Sequence, residues 1–286
     1  MRLLYILFIA ILSQQTYAQE YGKLKKLHHL SDLMIEVSGV SVIEGSNLIW
    51  MINDSGNTNV LFGYNTNGSI EREIVLDNAE NIDWEDLATD ASGALYIGNF
   101  GNNKNDRKTL SIYTVSGIST AEDTHLEAQQ TEFYFEDQKE FPPKKTERNF
   151  DAEAFIKLGD YFYIFTKNRS KDFNGVTKVY KVPAKKGDFK AKLIASYSTC
   201  NDPEDCFITS ATISKDNKTL VLLTYNKLFV ITGFKGDDFF NGTIKTIDLE
   251  HTSQKEGVTF KEDNTLYITD ERRKKTGGNL YEFTLE

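Results

Sequence analysis

The sequence predicts an all-β chain folded as a five-bladed β-propeller of four-stranded antiparallel blades. Three observations carry that expectation. First, five short segments, SGVSV, EDLAT, EAFIK, SATIS and EGVTF, open on Ser38, Glu85, Glu153, Ser210 and Glu256, at intervals of 47, 68, 57 and 46 residues. Second, each is followed by a further strand-like run, respectively NLIWMIND, ALYIGNF, YFYIFTKN, LVLLTYN and LYITDER, so the repeated unit is strand, turn, strand and polar loop. Third, the chain has 14 Tyr, 19 Phe and 19 Gly but only 4 Pro, and its apolar runs alternate with turn signals such as NTNG, DASG, KLGD, KDNK and KEDN.

The remaining strands follow in order. Third and fourth strands of the first four units are expected in NVLFGYN with SIEREIVL, TLSIYTV with TEFYFED, TKVYKVP with AKLIASY, and KLFVITG with TIKTIDL. The fifth unit has only NLYEFTLE before the chain ends, and an open edge of unpaired amides is a hazard. GKLKKLHHL, ahead of the first repeat, is the expected donor that closes the ring. A sixth blade would need four further strands that the sequence does not supply. The long second interval is explained by loops around an outer strand over residues 121–150. No linker divides the chain, so residues 19–286 read as one domain.

Residues 1–18 have the charged start, short apolar run and small residues before Ala18 of a secretory signal. The mature chain is therefore expected to be periplasmic or secreted, with no membrane span. Its formal net charge of −9 becomes one unit more negative when Arg2 is removed. An acidic chain lacks the basic footprint of a nucleic-acid binder but suits a cation. Cys200 and Cys206 enclose NDPED and, in an oxidising compartment, can close a short disulfide; the alternative is a pair of ordinary thiols.

In a propeller the first strand of each blade lines the axis, so Ser38, Glu85, Glu153, Ser210 and Glu256 are expected to converge at one level. Ser and Glu are also common at strand starts, where a polar axis filled with water would serve. Three carboxylates in a ring repel unless a partner neutralises them, however, and a hard cation with oxygen ligands does so. Ca2+ suits this set better than Mg2+, which demands a tighter octahedron, or Zn2+, which favours His and Cys.

The order Ser, Glu, Glu, Ser, Glu at these intervals resembles the central calcium site of the soluble calcium-activated nucleotidases, the apyrase family, which are five-bladed propellers. The resemblance implies that all five anchors are calcium ligands. WEDLA, NFDAEAF, ITSATIS and KEGVTF are also similar to the exported bacterial propellers grouped as SdiA-regulated and phytase-like. The nucleotidases carry a basic residue after paired acidic residues in the first upper loop, where this chain reads NDSGN.

Specific chemistry is expected in the loops after the second strands, which supply Asn53, Asp54, Asn99, Lys167, Arg169, Tyr225, Asp270 and Arg272. Cations among these suit phosphoryl oxygens, and carboxylates suit positioning of a water. No GxSxG, HExxH, Walker or GxGxxG motif is present. Two functions follow. One is a calcium-stabilised module binding a small molecule, glycan or protein through this upper face, and NDSGN favours it; the other is a calcium-dependent phosphohydrolase, nucleotidase- or phytase-like.

Overall fold

The computed structural model describes residues 20–286, and the expected signal over 1–18 lies outside the described residues. The strands are β1 (Lys25–His29), β2 (Val37–Val42), β3 (Ile49–Asn53), β4 (Val60–Tyr64), β5 (Ile70–Leu76), β6 (Trp84–Thr89), β7 (Leu95–Asn99), β8 (Leu110–Val115), β9 (His125–Leu126), β10 (Gln129–Phe135) and β11 (Asp151–Leu158). They continue with β12 (Tyr161–Lys167), β13 (Val176–Pro183), β14 (Gly187–Ser198), β15 (Ser210–Ile213), β16 (Thr219–Leu223), β17 (Lys227–Thr232), β18 (Thr243–Asp248), β19 (Lys255–Glu262), β20 (Thr265–Asp270) and β21 (Asn279–Thr284). The fold is all-β and propeller-like: β2, β6, β11, β15 and β19 contact one another in succession, and β19 returns to β2.

The second strands show why these sequences become strands. Along β3, Ile49 and Met51 enter one apolar cluster while Trp50 and Ile52 enter another. In β12, Phe162 and Ile164 face one side, and Tyr163 and Phe165 the other. The same alternation divides Leu220 and Leu222 from Val221 and Leu223 in β16. Successive side chains of a strand point to opposite faces, so an unbroken apolar run is a strand buried on both sides. Burying each such side chain contributes roughly 1.5–3 kcal/mol.

Strand pairing departs from separate four-stranded blades at two places. The sheet orders are β1-β21-β20-β19, β15-β16-β17-β18, β2-β3-β4-β5-β9, and an eight-stranded β11-β12-β13-β14-β10-β8-β7-β6. The last arises because β10 pairs parallel with β14, Phe133 opposite Phe189 and Phe135 opposite Ala191. Phe133, Phe135 and Ala191 are buried in one cluster against which Phe189 packs, so shared apolar burial draws the two outer strands together. Within the long insertion, β9 adds parallel to β5. The expected closure is present: β1 pairs antiparallel with β21.

The anchors have a local backbone signature. Pairing skips Ser38 in β2, Glu85 in β6, Glu153 in β11 and Glu256 in β19, each at a register shift, whereas Ser210 pairs regularly with Leu223. A bulge of this kind re-aims a side chain. The following residue is small because the inner strands crowd: a Cβ on Gly39 would sit 2.8 Å from the Leu87 nitrogen. Asp86 is the exception at this position, and its carboxylate crosses the axis to accept from Phe155 N, Ala211 N and the Ser210 hydroxyl.

Candidate functional site

One end of the ring, the upper face, collects acids. Carboxylate oxygens of Asp54, Asp83 and Glu85 lie within 4.8 Å of one another, as do those of Asp54, Glu256 and Glu271. Asp54 belongs to both groups. Asp83 and Asp151 each stand two residues ahead of a bulged Glu, in DWE and DAE, a pairing that the sequence displays twice and that the reading by anchors passed over.

Lys167 and Arg169 stand among these acids. Lys167 Nζ donates to Glu153 Oε2 at 2.9 Å and lies 4.0 Å from Glu256 Oε1. Arg169 reaches Asp151 through Nε at 2.6 Å and Glu153 Oε1 through Nη2 at 3.0 Å. Rings complete the surround: Lys167 Nζ lies 5.6 Å from the Phe207 ring centroid and 5.5 Å from that of Tyr225. The Phe207 position is tied down by the disulfide Cys200–Cys206, whose Cα atoms are 5.6 Å apart.

The electrostatics divide the acids. Burial pushes Asp54 up to about 7, and the charges of Asp83, Glu153 and Glu271 add to it. Glu85 is raised well above its ordinary range, first by burial and then by Glu153 and Asp54. Burial also raises Glu256, Asp83 and Glu271. Burial works against ionisation of Glu153 as well, but Lys167 and Arg169 outweigh it and hold Glu153 low. Thus Glu153 is held ionised by two close cations, while the groups centred on Asp54 have weaker support: Lys167 at 4.0 Å from Glu256, Arg273 at 3.7 Å from Glu271, and the charge of Arg107 acting on Asp83 and Glu85.

Glu85 sharpens the point. It is 4% exposed, and its carboxylate accepts no hydrogen bond among the described residues. Gly101 makes room for it, since a Cβ there would lie 2.1 Å from Glu85 Oε1 and 2.4 Å from Asp83 Oδ2. An all-oxygen set containing a buried, unpartnered carboxylate fits a hard cation such as Ca2+. Asp54 with Asp83 and Glu85, or Asp54 with Glu256 and Glu271, are the residues that would hold it.

The residues expected from sequence separate accordingly. Glu85, Glu153, Glu256, Asp54, Lys167, Arg169 and Tyr225 are brought together. The two serines engage the protein: Ser38 Oγ donates to Trp84 O at 2.7 Å, and Ser210 Oγ donates to Asp86 while accepting from Val258 N. Asn53 Nδ2 holds Leu33 O. Asn99 accepts from Ile82 N and Asp83 N and donates to Ser111 and Tyr113, so it shapes the loop bearing Asp83. Asp270 is fully buried, accepting from Asn279 N and the Tyr281 hydroxyl. Arg272 is bound to Leu30 O and Asp32, away from the acid groups.

No family model matches this chain, and no curated protein sequence matches it. Among solved structures, the chain is similar to a catalytically inactive virginiamycin B lyase from Staphylococcus aureus solved with quinupristin, with TM-score 0.42 and 14% identity over 87% of this chain and 66% of the lyase. Similarity also extends to the nidogen/laminin complex, with TM-score 0.45 and 12% identity over 82% of this chain and 72% of the other. A gluconolactonase from Xanthomonas campestris is similar with TM-score 0.49 and 11% identity, over 94% of this chain and 96% of that enzyme.

Proposed function

We propose that this chain is an exported five-bladed propeller that binds Ca2+ at its upper face and uses that face as a binding module for a small molecule, glycan or protein. The single observation behind the reading is the pair of carboxylate groups sharing Asp54, with Glu85 buried and unpartnered beside it. Five blades are supported by the succession of inner strands and by five apolar clusters among the described residues, lying between successive strand groups around the ring. The eight-stranded sheet then counts as two blades joined at their outer edges. Of the sequence-derived ligand set, Glu85 and Glu256 stay as direct oxygen donors. Glu153, already paired with two cations, serves as their electrostatic neighbour, and Ser38 and Ser210 hold the inner strands.

The test is calcium titration of residues 19–286 by calorimetry and thermal melting, beside Glu85→Gln. Saturating Ca2+ should raise the melting temperature, and the substitution should weaken binding by at least roughly tenfold. Absence of calcium binding by the unsubstituted protein would remove this reading.

One observation favours a second reading, calcium-dependent phosphohydrolysis: Arg169, although paired with Asp151 and Glu153, keeps its side chain 30% exposed beside the acid groups. Phosphate release from nucleoside di- and triphosphates or phytate, dependent on Ca2+ and lost in Arg169→Ala, would replace the binding-only reading.

A further inference from the structure

The opposite end of the ring contains a cavity of about 850 Å3, to which all five inner strands contribute. Its inner wall includes Leu87 and Ala211, the residues whose amides bind Asp86. The Asp86 layer therefore lies between this cavity and the carboxylate groups. At the mouth, Lys215 and Glu44 form an ion pair between the turns after β15 and β2, strands that are not neighbours in the ring.

Three inner strands bring the same dipeptide chemistry to this cavity: Ser41-Val42, Thr212-Ile213 and Thr259-Phe260. In each a hydroxyl precedes an apolar residue that is only half-buried. Ser41 is 1% exposed and Thr259 5%, yet the hydroxyls of Ser41, Thr212 and Thr259 have no hydrogen-bond partner among the described residues. These hydroxyls line the cavity, so their donor and acceptor capacity is free for an occupant.

The charges argue against an anionic occupant, since the lining also carries the exposed acids Glu262 and Asp263. Every lysine of the lining is already paired, Lys157 with Asp90, Lys215 with Glu44 and Lys261 with Glu282. No free cation is left among them to receive an anion. Hydroxyls alternating with half-buried apolar groups match a molecule whose own hydroxyls alternate with C–H faces, and the volume falls within the range of small-molecule pockets. We propose that this lower axial cavity is a binding site for a neutral, monosaccharide-sized polyol, independent of the calcium site above it.

The experiment is saturation-transfer NMR and calorimetry with D-glucose, D-galactose and D-xylose, and with D-glucose 6-phosphate as the anionic control. A neutral sugar should bind in the millimolar range or tighter. Thr212→Val/Thr259→Val, which keeps side-chain shape and removes both hydroxyls, should weaken that sugar at least roughly tenfold while leaving the calcium titration unchanged. Ser41→Ala, on another strand, should weaken it in the same direction and serves if the double variant fails to fold. The proposal is overturned if none of the three sugars binds, if only the phosphate binds, or if the folded variants bind as the unsubstituted protein does.

Discussion

The hydroxyl of Ser210 and the carboxylate of Asp86, separated by 124 residues in the chain, meet at 2.9 Å across the axis of the ring. The second Asp86 oxygen accepts from Phe155 N and Ala211 N, each at 3.2 Å, so one side chain joins β6, β11 and β15. Asp86→Asn replaces one acceptor oxygen with an amide N–H that must face a backbone N–H or the Ser210 hydroxyl. Leaving such a buried group unmatched should cost about 3 kcal/mol. Chemical denaturation of the variant measures this, and an unchanged midpoint would show that these bonds add nothing to stability.

Calcium should reverse the pH dependence of stability. Asp54 ionises at about 7 in the folded protein against an ordinary 3.8, chiefly because it is buried. Between these values the folded chain keeps a proton that the unfolded chain has released, so calcium-free protein loses stability as pH rises through the window. Glu85 and Glu256 act in the same direction. Glu153 acts oppositely: its stabilisation is present above the ordinary carboxylate range and lost as pH falls. Melting temperatures with chelator should therefore decline from about pH 5 to pH 8, and saturating Ca2+ should flatten or invert the decline. A flat profile in chelator would contradict the assignment.

Gly101 is a sensitive position despite carrying no functional group. A methyl group there meets both Glu85 and Asp83 at well under contact distance. Gly101→Ala should weaken calcium binding at least roughly tenfold by displacing those carboxylates, while the far-ultraviolet circular dichroism stays that of the unsubstituted protein. Unaltered calcium affinity would show that the two acids lie outside the ion's shell.

The disulfide closes a short loop, its cysteines six positions apart. On the chain-entropy account its reduction should cost about 2 kcal/mol. Thermal melts with and without reductant, beside Cys200→Ser/Cys206→Ser, check this. Reductant should lower the melting temperature of the unsubstituted protein and leave that of the double serine variant unaltered.

The strands were legible because each second strand is buried on both faces, which writes an uninterrupted apolar run such as YFYIF or LVLL into the chain. The anchors were legible because bulges need a repeated small-residue neighbour, as in SGV, EAF and EGV. Pairing of β10 with β14 was not, since its driving contacts, Phe133 and Phe135 against Ala191, join residues far apart with no local signal. At the site, alignment on the anchors named Glu85 and Glu256 and the loop reading named Asp54, while Asp83, which lies beside them, was not named. Asp54 comes from a loop and unites two groups only through the closure of the ring. Asp270 and Arg272 occupy the equivalent loop of the fifth repeat, yet they turn toward β21 and the segment after β1, because in that repeat the outer strand comes from the other end of the chain.

Inner strands of similar sequence that line one axis have few features by which each is told from the next. Asp86 makes this ring a keyed one. It stands where the other repeats carry Gly or Ala, and outside its own strand its oxygens find their donors on β11 and β15, so one inner strand is distinguished from its siblings by which neighbours it can hold.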